Sequence, residues 1–60
     1  MPARILIVDS IATNRIVLKV KMTTAQFEVD AFATCVEAKA SVRQQHPDLI
    51  LINLSNPDDD

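Results

Sequence analysis

Pro47-Asp48-Leu49-Ile50-Leu51-Ile52-Asn53-Leu54 is the stretch on which the fold turns. A proline leads into four consecutive aliphatic residues, and the run ends on a polar amide. An apolar run without alternation fits a strand buried on both faces, as in a parallel sheet covered by helices. A second run of the same kind, Ile5-Leu6-Ile7-Val8, ends on Asp9 and Ser10. In open α/β sheets, binding and chemistry sit beyond the carboxyl ends of such strands, where the strand order reverses. Asp9, Ser10 and Asn53 are therefore the candidate site.

The segments between these runs supply the crossovers. After Asp9 and Ser10, either Ser10 or Thr13 can cap a helix expected from about Asn14 to Thr24. At about 100° per residue, Ile11, Leu18, Met22 and Ala25 share one side of it, with Arg15 and Lys19 as a polar flank. Ile16 and Val20 fall on the opposite side, so the helix is apolar nearly all round. That pattern predicts burial on more than one side, against further chain or against a second copy. Gln26 to Ala33 alternates, with Phe27, Val29 and Ala31 set against Glu28, Asp30 and Phe32, which suits a half-exposed edge strand guarded by acidic groups. Thr34-Cys35-Val36-Glu37 has the form of a capping box and opens a second helix to about Gln45. Val36, Ala40 and Ala33 are its expected inward positions. Pro47 stops it, and His46 reads as a residue suited to a helix carboxyl terminus. The order β-α-β-α-β predicts parallel strands joined by right-handed crossovers.

Composition narrows the function. Sixty residues make one small domain, and a domain of that size buries only about 60% of its unfolded surface. The net charge of −2 and the absence of aromatic-basic interleaving argue against nucleic-acid binding. The apolar runs are too short for a signal-peptide core or a membrane span. With the single cysteine, Cys35, they point to a cytoplasmic protein. Glycine is absent, which excludes the phosphate-cradling loops that need glycine to bring backbone against phosphate. Ser10 has no histidine near the same strand edge and Cys35 no charged activator, so nucleophilic triads are poor candidates. Asp58-Asp59-Asp60 reads as a frayed, solvated tail.

One resemblance becomes specific at this point. Arg4-Ile5-Leu6-Ile7-Val8-Asp9, together with Pro47-Asp48-Leu49-Ile50-Leu51-Ile52-Asn53 and Pro57, resembles the amino-terminal half of a bacterial response-regulator receiver domain. The similarity is closest to the receivers at the start of PleD-type diguanylate cyclase regulators, and it spans essentially the whole chain. The resemblance implies the α/β βαβαβ half of a flavodoxin-like fold, with three parallel strands in order 2-1-3 and flanking helices. In that family an aspartate at the place of Asn53 accepts a phosphoryl group from a histidine kinase. Acidic residues at the places of Asp9 and Ser10, with a backbone carbonyl at the place of Ser55, help hold Mg²⁺. The family's threonine or serine and its lysine belong to strands beyond Asp60.

This sequence keeps one of the three carboxylates. Asn53 carries a neutral amide, which cannot form an acyl phosphate, and Ser10 supplies no negative charge. Cys35 and Lys39 also depart from the residues usual at their places. What the resemblance then implies is a degenerate, non-enzymatic receiver module, with at most a weak Mg²⁺ contact through Asp9 and the Ser55 carbonyl, or no cofactor. A half sheet would leave its third strand as an apolar edge, so a homodimer or higher assembly is expected, through Leu49, Leu51, Ile16 and Val20. A histidine kinase, or an attached output domain such as a diguanylate cyclase, is the other partner implied. The alternative function is a phosphoacceptor receiver that regulates such an output.

Overall fold

The computed structural model describes residues 2–53. In chain order the elements are β1 (Arg4–Asp9), α1 (Ala12–Thr24), β2 (Glu28–Phe32), α2 (Cys35–Gln45) and β3 (Leu49–Asn53). The three strands form one parallel sheet in the order β2-β1-β3, the α/β arrangement expected from the sequence. Ile5 pairs with Val29 on one side and with Leu49 on the other, and Asp9 pairs with Asn53 at the carboxyl end. The chain steps from β1 to β2 and then back across β1 to β3. With crossovers of one hand, that reversal sends the two helices to opposite faces of the sheet. It also opens a crevice between the carboxyl ends of β1 and β3.

β1 is the central strand and carries the core. Ile5, Leu6, Ile7, Val8 and Asp9 are each at most 3% exposed. Leu6 and Val8 face α2, where Ala38 completes the buried cluster and Phe32, Cys35 and Val42 pack against it. Ile5 and Ile7, of opposite parity along the strand, lie under α1, which turns Leu18 and Met22 half-buried toward the sheet. Burying each of these aliphatic side chains contributes about 1.5–3 kcal/mol.

β3 departs from expectation. Its apolar run predicts a strand buried on both faces, yet Leu49, Ile50 and Ile52 are exposed and only Leu51 is half-buried. The physical reason is positional. Both helices pack over β1 and β2, neither lies over β3, and β3 is an edge of the described sheet. The strand that the apolar-run argument describes is β1.

Several local expectations are also corrected. Helix α1 begins at Ala12, not near Asn14, and its N-cap is Ile11, which has no side chain able to cap; neither Ser10 nor Thr13 does so. At its other end, the Gln26 N–H donates to the Thr23 carbonyl at 2.9 Å and the Phe27 N–H to the Met22 carbonyl at 3.1 Å, with Gln26 at φ 72°. These two bonds are a Schellman motif. They occupy Gln26 and Phe27, so β2 starts at Glu28, two residues later than the alternation suggested. In α2, Thr34 caps as expected, its hydroxyl accepting from the Glu37 N–H at 3.3 Å. The inward face is different: Val36 is 79% exposed and Ala40 is exposed, whereas Cys35, Ala38 and Val42 face the sheet. Their spacing of three and four residues is one helical stripe, and Val36 stands a full 100° away from it. The helix ends on His46 in the left-handed conformation, φ 48°, with its N–H on the Val42 carbonyl at 3.2 Å.

The acidic residues of β2 do more than guard an edge. The Arg4 guanidinium reaches across from β1 to Asp30 at 3.1 Å and to Glu28 at 3.3 Å. This cluster lies at the amino-terminal end of the sheet, away from Asp9.

Candidate functional site

Asp9 is the last residue of β1 and is fully buried, at 0% exposure. A carboxylate in that position is tolerable only when its oxygens are hydrogen-bonded. Here both are. Oδ1 accepts from the Ile11 N–H at 2.9 Å, and Oδ2 accepts from the Asn53 side-chain amide at 3.2 Å. The first bond spans two residues and is an Asx turn, which swings the chain out of the strand and into α1. It takes the place of the Ser10 or Thr13 cap. The second bond closes the crevice between β1 and β3 at their carboxyl ends.

The main chain of Asp9 is held as well. The Arg15 guanidinium, from the first turn of α1, donates to the Asp9 carbonyl at 2.8 Å. Arg15 thus fixes the start of the helix to the end of the strand and is half-buried in doing so. The sequence pattern gave it only as part of a polar flank. No periodicity marks a long side chain that turns back six residues to a main-chain oxygen.

A cleft of about 290 Å³ opens at this point, lined by Asp9, Asn14, Val17, Leu18 and Asn53. The lining thus combines one carboxylate, two amides and two aliphatic side chains. Ser10 is exposed at the same end of the sheet. Of the sequence-predicted site, Asp9 and Asn53 come together by direct contact, with Ser10 adjacent in the chain. Ser55, the expected carbonyl ligand, lies outside the described residues, as does Pro57. Asn14 joins the cleft because the helix starts early enough to bring its first turn over the crevice.

Among the described residues, the donors at this cleft fall short of what Mg²⁺ takes. That ion takes hard oxygen ligands in near-octahedral geometry, and among the described residues Asp9 is the one acidic side chain lining the cleft. Both of its oxygens already accept hydrogen bonds. Among the described residues, no group of three or more His, Cys, Asp or Glu side chains is placed to hold a metal.

The residues expected to mediate self-association divide into two regions. Ile16 and Val20 are 64% and 59% exposed along the outer side of α1, with Val17 beside them. On β3, Leu49 is exposed, as are Ile50 and Ile52, whereas Leu51 is half-buried. Ile50 and Ile52 line an apolar groove of about 150 Å³ against α2, with Leu6, Val8, Ala38 and Val42. Among the described residues, no helix is long and apolar enough to cross a membrane.

No protein-family model matches the chain, and no curated protein or solved structure does so either.

Proposed function

We propose that this chain is a degenerate receiver module of two-component signalling, cytoplasmic and non-enzymatic, which acts by binding a copy of itself or a partner. The observation that carries this reading is the Asn53 amide at the carboxyl end of β3, hydrogen-bonded to Asp9 at 3.2 Å. A receiver's acyl phosphate forms on a carboxylate oxygen; an amide at that place has none to offer. The strand order β2-β1-β3 agrees with the receiver resemblance, and the open apolar surface of β3 and α1 supports a binding role.

Two measurements test it. The folded 60-residue chain, incubated with acetyl phosphate and Mg²⁺, is expected to keep its intact mass. A phosphoryl adduct would overturn the reading and favour a phosphoacceptor receiver. Size-exclusion chromatography with light scattering is expected to give a dimer or larger species at micromolar concentration, and Ile16→Lys/Val20→Lys or Ile52→Lys is expected to shift it toward monomer. A stable wild-type monomer refutes self-association.

A further inference from the structure

Among the described residues, Asp9 is the one charged side chain that is fully buried. A buried carboxylate is retained only with compensating partners, usually a cation or several hydrogen-bond donors. The cations near this one are directed elsewhere. Arg15 bonds the main-chain oxygen of Asp9, not its carboxylate. Arg4 is held by Glu28 and Asp30 at the far end of the sheet. Among the described residues, the partners of the carboxylate are the Ile11 N–H and the Asn53 amide.

We infer that the Asn53 carboxamide does for Asp9 what a bound cation would otherwise do, so that the β1–β3 crevice is closed and stable without any divalent ion. The chemistry is specific to the amide. Its nitrogen carries two N–H donors and its oxygen is an acceptor. One N–H meets Asp9 and the rest of the group stays at the exposed rim. A carboxylate at position 53 would set acceptor against acceptor at the same 3.2 Å separation. Two like charges that close need a proton or a cation between them. The choice of amide or acid at this one position therefore decides whether the crevice needs a metal. The inference stands on the surroundings of Asp9 and holds whether or not the chain signals.

The test is the urea midpoint of the 60-residue chain, measured in EDTA and in millimolar MgCl₂. Wild type is expected to show the same midpoint in both. Asn53→Ala, which removes the donor and adds no charge, is expected to lower the midpoint by about 1 M in EDTA. Asn53→Asp is expected to fall at least as far in EDTA and to rise when Mg²⁺ is added. Ser10→Asp/Asn53→Asp, with one more hard oxygen group, is expected to rise further still. If a variant is unfolded in EDTA, recovery of its helical circular dichroism on adding Mg²⁺ replaces the midpoint as readout. Three results would each overturn the inference: a wild type stabilised by Mg²⁺ as much as the acidic variants, an Asn53→Ala midpoint equal to wild type, or acidic variants that Mg²⁺ neither stabilises nor refolds.

Discussion

Arg4 and Asp48 hold each other twice, in opposite senses. The Arg4 N–H donates to Asp48 Oδ2 at 2.8 Å, and the Asp48 N–H donates to the Arg4 carbonyl at 2.8 Å. Both residues stand one position ahead of the paired register that begins at Ile5 and Leu49. The aspartate after Pro47 therefore aligns β3 with β1 before the first strand pair forms. A one-residue slip of β3 would turn Asn53 away from Asp9. Asp48→Ala is expected to cost about 0.5–1.5 kcal/mol, the usual net worth of such a bond. Asp48→Asn, which keeps an acceptor oxygen, is expected to recover part of it. Urea unfolding of the two variants checks the order.

With no glycine in the chain, two of the described residues stand in left-handed backbone, Gln26 at φ 72° and His46 at φ 48°. Each closes the carboxyl end of a helix, where glycine is the usual solution. A side chain in that conformation costs roughly 1–2 kcal/mol, offset in part by glycine's greater freedom in the unfolded chain. Gln26→Gly and His46→Gly are each expected to stabilise by about 0.5–1 kcal/mol, which in a domain this small raises Tm by several degrees, about 4–8 °C per kcal/mol. Thermal unfolding followed by circular dichroism measures it.

Val36, an expected inward position of α2, faces out, and Ala38 takes the inward place. Val36 is 79% exposed and Ala38 is 4% exposed against Leu6 and Val8. Val36→Ser is expected to change stability by no more than about 0.5 kcal/mol. Ala38→Leu forces extra carbon into the tightest part of the α2 interface and is expected to cost about 1–3 kcal/mol. Similar losses for the two substitutions would argue for a different helix rotation.

Arg4 holds Glu28 and Asp30 together on one face of β2. Removing it leaves two carboxylates two residues apart without their shared cation. The groups are partly exposed, so solvent screens the interaction, and Arg4→Gln is expected to cost no more than about 1 kcal/mol. The difference from wild type is expected to shrink in 1 M salt, where the screening length falls to about 3 Å. Unfolding at low and high ionic strength tests this.

The strand-helix alternation was readable because the apolar runs and the polar residues ending them are strong, local signals. The parallel sheet and its strand ends follow from them, and so does the meeting of Asp9 with Asn53. Four features were hidden. The inner stripe of α2 runs through Cys35 and Ala38, two small residues that carry little hydrophobic signal beside Val36. The start of α1 depends on the Asp9 side chain capturing the Ile11 N–H, which a search for Ser or Thr caps passes over. The link from Arg15 to the Asp9 carbonyl is set by three-dimensional approach and leaves no mark in residue spacing. The exposure of β3 is hidden for another reason: an apolar run specifies a strand but not how many neighbours cover it.

Everything proposed for the crevice depends on Asp9 and Asn53 sharing one rim. Nuclear Overhauser spectra of the isotopically labelled chain read that relationship without any substitution. The Asn53 side-chain amide protons are expected to show cross-peaks to the Asp9 β-protons, alongside cross-strand contacts between Val8 and Ile52 and between Ile7 and Leu51. Contacts displaced by one residue along β3, or Asn53 amide protons that see no part of Asp9 in an otherwise intact β1–β3 pair, would contradict it.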